Sequence, residues 1–341
     1  MNARLRKSRR GVALILVLGF IALLSLLITA LLETLRVRLI EGEARAQRAS
    51  LRLDAESALA VMRARLAVFE SDASGIYLNA EDLARVEQDP LAGWTPPDGA
   101  TVSVKLRDAS GLFSLNSTNT PTLRAVFEDL GVSAGRSASL ADCLADWTDA
   151  DDRARLNGAE ADAYAVPGTP PNRYIRSFSE LRAVKGFDEL FFEADGAPNA
   201  TGRELAGVST FLGDNARPNV NTAGEPVLRL LAQRTGADPG ALLAFRLPLD
   251  YPNDRTHQGV FKNAGDLTKV GAPEGLAERV SFASQRIRAT ITVSKGDLRY
   301  TLDAVLGPGG ASSPVSVLVR ADEGLFAEDA EAYSAGSDSG G

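Results

Sequence analysis

The side chains able to do chemistry in this 341-residue chain concentrate in one acidic stretch. Asp142-Cys-Leu-Ala-Asp-Trp-Thr-Asp-Ala-Asp-Asp152 continues to Asn157-Gly-Ala-Glu160 and Asp162. Clustered carboxylates, with Asn and backbone carbonyls beside them, supply the oxygens that a hard cation such as calcium gathers. Counted from Asp149, the residues Asp151, Asn157 and Glu160 take the third, ninth and twelfth places of an EF-hand-like loop. Arg153 holds the fifth place and Ala154 the sixth, where a carboxylate and a glycine are needed, so the loop is not an EF-hand. The same acids would also serve as a solvated helix end, with Trp147 beside them in the core. Paired carboxylates invite hydrolysis as well, yet no nucleophile or general base stands near them. Cys143 and His257 are each the sole residue of their kind, which excludes an internal disulfide, multi-cysteine zinc or iron–sulfur sites and His-rich metal sites. The chain reads as non-enzymatic.

The acidic stretch lies inside a long segment that carries a repeat. Asn116-Ser-Thr-Asn-Thr-Pro-Thr-Leu-Arg124 aligns with Asn221-Thr-Ala-Gly-Glu-Pro-Val-Leu-Arg229, matching Asn, a hydroxyl residue, Pro, Leu and Arg at identical spacing. Asn, Ser or Thr can cap a helix, and Pro fits its first turn. Further on, Ser179-Glu-Leu-Arg-Ala-Val-Lys-Gly186 parallels Gly265-Asp-Leu-Thr-Lys-Val-Gly271. Two related helical modules follow from this pairing. Strand patterns flank them. Val102, Val104 and Leu106 alternate, and Leu112 to Leu115 continue as a second short strand. Later, Ile287, Ala289, Ile291 and Val293 alternate, Ser294-Lys-Gly-Asp297 turns, and Leu298, Tyr300 and Leu302 resume. A strand system split so widely implies an inserted domain. Pro218-Asn-Val-Asn-Thr-Ala, Ala244-Phe-Arg and Asp266-Leu-Thr-Lys-Val-Gly271 resemble the helix-hairpin-helix modules of membrane-anchored DNA-uptake receptors, which makes such a receptor the alternative function. The tight Gly-x-Gly hairpin of those modules is missing from Arg234-Thr-Gly-Ala-Asp-Pro239. Acids exceed bases by 44 to 37, for a net charge of −7, the opposite of a phosphate-gripping balance.

At the amino terminus, residues 1–11 hold five positive charges and no acid, and Val12 to Leu32 carry no charge at all. That run spans about 31 Å as a helix, enough for a hydrocarbon core. It is too long for a cleaved secretory signal, which leaves a plain anchor helix or a leader cut before the apolar run. The basic flank stays cytoplasmic and the remainder lies outside. From Glu33 to about Phe69 the chain stays helix-friendly and free of proline, with Gly42 as its one weak point.

Arg9-Arg-Gly directly before the apolar run resembles a type IV prepilin leader, in which a peptidase cuts after the glycine and the new amino terminus is methylated. Gly11 is then the last leader residue and Val12 the new terminus, although Val12 stands where Phe or Met is common. Taken with Asp146-Trp-Thr-Asp-Ala-Asp-Asp152, Asn157-Gly-Ala-Glu160, Phe178-Ser-Glu-Leu-Arg-Ala-Val-Lys-Gly186 and Asn219-Val-Asn-Thr-Ala223, it resembles, in order, the K-type minor pseudopilins of type II secretion (GspK family). The resemblance implies an α+β fold: a long amino-terminal helix on a small antiparallel sheet, interrupted by a large all-helical domain of two helix-hairpin-helix-like modules. Its expected divisions are leader 1–11, transmembrane helix 12–32, pilin-like helix and first strands 33–118, inserted domain 119–283, closing strands 284–308 and a flexible tail 309–341. It further implies a structural subunit of the pseudopilus tip that helps initiate assembly. Its partners would be the I-, J- and H-type minor pseudopilins, the prepilin peptidase and the inner-membrane secretion platform, with no nucleic acid. The chain would be a single-pass inner-membrane protein with most of its length in the periplasm. Structural calcium is implied in the helical domain, with ligands among Asp146, Asp149, Asp151, Asp152 and Glu160. Arg153 and Arg155 bring opposing charge into that loop.

Overall fold

The computed structural model describes residues 4–212, 216–247, 259–310 and 313–322, and the chain divides into two units, 1–53 and 54–341. Helix α1 (Arg4–Leu66) runs through Gly42 without a break. In the first unit its apolar residues from Leu14 to Leu32 are all exposed, and by length and composition this part of the helix could cross a membrane. Gly11 and Val12 have helical backbone, and the Val12 side chain lies outside the described residues.

In the second unit, the end of α1 buries Ala55, Ala58, Leu59, Met62 and Leu66, a stripe at helical spacing. Two short strands, β1 (Ser71–Asp72) and β2 (Gly75–Ile76), and helix α2 (Ala80–Gln88) follow. Asn79 and Asp82 close a capping box on α2. Strand β3 (Thr101–Asp108) then opens an antiparallel sheet that is completed only after the insert. Its partner β6 (Ile287–Lys295) pairs residue for residue, from Thr101↔Ser294 to Asp108↔Ile287. Next come β7 (Leu298–Gly310) and β8 (Ser313–Asp322), in the order β3-β6-β7-β8. Ile287, Ala289, Ile291 and Val293 are buried as their alternation requires, and Gly296 takes φ +57° in the hairpin turn. Arg63 donates to the Val315 carbonyl and Arg320 pairs with Glu56 at 2.7 Å, so β8 is tied to α1. The expectation of a flexible tail from 309 is therefore corrected: 313–322 form a sheet strand. Residues 323–341 lie outside the described residues.

The insert occupies the span between Asp108 and Ile287, so it begins about ten residues before the expected boundary at 119. Its first module holds β4 (Phe113–Ser114), α3 (Thr120–Asp129), α4 (Ala134–Thr148), α5 (Asp188–Phe191), α6 (Ala200–Val208) and β5 (Ser209–Thr210). The second holds α7 (Glu225–Thr235), α8 (Pro239–Arg246), α9 (Ala264–Lys269) and α10 (Glu274–Ala277). It is not all helical: β4 and β5 pair in parallel, and a parallel bridge joins Asn219 to Ser281 at the matching place of the second module. Leu112 to Leu115 thus serve the insert and not the four-stranded sheet. Each module has its own core, around Phe127, Leu144, Phe187 and Phe191 in the first and around Leu228, Leu231, Phe261 and Leu267 in the second.

The repeat is carried by two asparagine clamps. Asn221 donates to the carbonyls of Phe261 and Phe282 at 2.8 and 2.7 Å and accepts from the Phe261 N–H at 2.7 Å. Asn116 does the same to Ile175 and Phe211: its amide reaches their carbonyls at 2.9 and 2.8 Å, and the Ile175 N–H returns at 2.9 Å. The next residues agree as well. Glu180 accepts from the Arg176 N–H, and Asp266 from the Lys262 N–H. Only an amide side chain can serve backbone donor and acceptor together in this way, and that is why Asn recurs at both positions.

Candidate functional site

Helix α4 delivers the acidic loop. Its last turn carries Asp146, which is fully buried, and the helix ends on Asp149. The chain then folds back so that Gly158 lies against Asp146; a Cβ at 158 would stand 1.8 Å from Asp146 Oδ2, and glycine is required there. The Asp146 carboxylate accepts backbone N–H bonds from Arg155 at 3.1 Å and Ala159 at 2.9 Å. Arg155 Nη1 lies 2.6 Å from Asp146 Oδ1 and 2.5 Å from Asp149 Oδ2. Asp149, more than any other neighbour, raises the Arg155 pKa and keeps the guanidinium charged.

The five acids do not converge into one cage, and among the described residues no three His, Cys, Asp or Glu side chains form a ready metal cluster. Asp151 turns back to the N–H of Arg153, and Asp152 accepts from the Asn172 amide. The Asn157 amide donates to Asp142 at 3.0 Å. Asp146, Asp149 and Glu160 remain. Glu160 is buried, and neither of its carboxylate oxygens has a partner. Burial, and after it the charges of Asp146, Asp149, Asp152 and Asp151, push the Glu160 pKa upward. Asp149 Oδ1 is likewise buried and unpartnered, so three orphaned acceptor oxygens among the described residues belong to this one loop. Buried polar atoms without partners are costly. Oxygen acceptors of this kind are what a hard cation gathers.

Trp147 is core, as its position suggested: its ring meets Tyr164 edge-on at 5.8 Å and its N–H reaches Glu180 at 3.3 Å. Burial raises the Cys143 thiol, which sits against Ser139 and the Asn157 carbonyl. His257 lies outside the described residues.

One polar centre escaped the sequence reading. Asp108, the last residue of β3, is buried, and its Oδ2 accepts from Thr222 Oγ1 at 2.5 Å, Ser284 Oγ at 2.6 Å and Asn219 Nδ2 at 3.3 Å. Its Oδ1 takes the Ser110 N–H at 2.9 Å. Burial raises its pKa against the opposing pull of these donors. Asp108 thereby fastens the sheet to both ends of the second module. Nothing in a lone Asp at the end of a strand signals this, because its partners come 111 to 176 residues later.

Comparison with known proteins adds to this geometry. A family described as type II secretion system (T2SS), protein K, matches residues 104–194. Type II secretion system protein K of Pseudomonas aeruginosa is 28% identical, covering 93% of this chain and 93% of that protein. The Klebsiella pneumoniae protein K is 28% identical over 89% of this chain and 93% of its own length. Among solved structures, a chain of the GspK–GspI–GspJ complex from enterotoxigenic Escherichia coli superposes with a TM-score of 0.55 at 19% identity, covering 84% of this chain and 99% of that one.

Proposed function

We propose, from the premise that this chain belongs to the type II secretion system protein K family, that it is a non-enzymatic minor pseudopilin at the tip of a secretion pseudopilus, where it helps initiate assembly. The observation that carries this reading is the resumed pairing of β3 with β6, residue for residue, on the far side of the two-module insert. A pilin-like helix and sheet are thus preserved around a bulky extra domain. On every shaft subunit such a domain would crowd a thin fibre, whereas at the end of a fibre it is tolerable.

Processing between Gly11 and Val12 would make Leu16 the fifth mature residue. Pilin-like subunits usually carry glutamate there, and a carboxylate among packed apolar helices is costly unless it meets a positive partner. Leu16 needs no such partner and gains nothing from docking beneath an earlier subunit, as befits the one that enters first. The apolar helix would anchor the chain once in the inner membrane, with the second unit in the periplasm. The related GspK occurs with GspI and GspJ, and we take I- and J-type minor pseudopilins as partners here, with the H-type subunit, the prepilin peptidase and the inner-membrane platform completing the set. The DNA-receptor reading has no comparable support, since the chain is acidic and its relatives are secretion proteins.

Calcium at the acidic loop would be structural. Glu160, Asp149 and Asp146 would hold it, and the ion would join the end of α4 to the returning chain, meeting the two Glu160 oxygens and Asp149 Oδ1 that have no donor. The functional reading is tested by co-expressing the chain with the I- and J-type minor pseudopilins of its own organism. A ternary complex surviving gel filtration is expected; failure to co-purify with either would contradict the assignment.

A further inference from the structure

We infer that Arg155 is a tethered counter-cation that occupies, in competition with a divalent metal, the position between Asp146 and Asp149. This inference rests on the calcium reading above and adds a residue that opposes it. Arg155 Nη1 bridges one oxygen of each aspartate, at 2.6 and 2.5 Å, as a shared cation would. The substitution is incomplete. A planar fork on a short loop satisfies acceptors in its own plane, whereas a spherical ion gathers them from all sides. Both Glu160 oxygens and Asp149 Oδ1 accordingly remain without donors.

The geometry also provides a way out for the guanidinium. The Arg155 side chain is 38% exposed while that of Asp146 is 0% exposed, so the arginine can swing into water without opening the core. Asp146 would keep the Arg155 and Ala159 backbone N–H bonds after the guanidinium leaves. Metal entry would therefore exchange two ion pairs for coordination and also satisfy the orphaned oxygens. With Arg155 in place the loop is held together without metal, but every binding event must displace it.

The test is calorimetric titration of calcium chloride into chelator-treated, full-length protein in detergent micelles, for wild type, Arg155→Gln and Arg155→Lys. Arg155→Gln should bind about tenfold tighter, as expected when a competing charge-assisted hydrogen-bond pair is lost. Arg155→Lys, which keeps the charge but not the fork, should fall between. Metal-free Arg155→Gln should also melt below wild type, with the gap closing at saturating calcium. If wild type binds and neither variant binds tighter, the competition is refuted while the calcium reading stands. If none of the three binds, both fall. If only the variants bind, Arg155 fully excludes the metal in the native chain, which upholds the inference and refutes calcium in the wild-type protein.

Discussion

Replacing Asn221 by alanine should cost far more stability than the same change at its repeat partner Asn116. Both side chains make the same three hydrogen bonds, but Asn221 is 0% exposed and Asn116 is half-buried. Asn221→Ala strands the Phe261 N–H and carbonyl where water does not reach, and frees the half-buried Phe282 carbonyl. At about 1–3 kcal/mol for each of the two buried groups, the loss is about 2–6 kcal/mol. At Asn116 water can replace the lost amide, and the net worth of the exchanged bonds is about 1–2 kcal/mol. With a urea slope of about 3 kcal/mol per molar, the midpoint should fall by about 0.7–2 M for Asn221→Ala and by less than about 0.7 M for Asn116→Ala. Circular dichroism of full-length protein in detergent during urea unfolding measures both. Equal shifts, or no shift at Asn221, would refute the argument that these clamps hold the two modules and that burial sets their worth.

Four further outcomes are expected. Gly11→Leu should block leader removal, so that amino-terminal sequencing of the membrane protein begins at Met1, whereas the wild type begins at Val12; a mature wild type beginning elsewhere contradicts the cleavage site. Gly158→Ala should lower the melting temperature strongly, because its Cβ meets Asp146 1.8 Å away with a buried carboxylate that cannot retreat; an unchanged melting point would contradict the packing of the loop. Because burial raises the Asp108 pKa, the folded state holds a proton that the unfolded chain has already released. Its contribution is therefore fullest below the unfolded carboxylate pKa and is lost as pH rises through the folded one. Asp108→Asn should flatten that part of the urea-midpoint profile, and an unchanged slope would contradict the assignment. Leu16→Glu should leave secretion of the system's exported proteins largely intact, and loss of secretion would argue against first entry.

How much of this could be read from residues depends on whether the partners are local or distant. The β6–β7 hairpin was legible because alternation and Gly296 are local signals, and the buried residues fall where the period places them. The module repeat was legible because an amide is hard to replace in a three-bond clamp, so Asn116 and Asn221 stand out. The acidic loop was visible as a place but not as a geometry. Nothing in the spacing says that Asp151 and Asp152 bond their own loop, or that Arg155 bridges Asp146 and Asp149. Strand β8 was missed because Gly307-Pro-Gly-Gly310 reads as the start of a tail. In fact Gly307 lies inside β7, with no room for a Cβ between the Gln285 carbonyl and Leu318. The alternation of Val315, Val317 and Val319 was the signal that could have found it. Asp108 had no local signal at all.

The claim at the centre of this account is position: one copy, at one end of the pseudopilus. The most direct measurement is gold labelling of an affinity tag on this chain, viewed by electron microscopy on sheared pseudopili from cells overproducing the fibre. A single label at one terminus of each fibre is the predicted result. Labels repeated along the shaft, or labelled fibres bearing the chain at both ends, would contradict it.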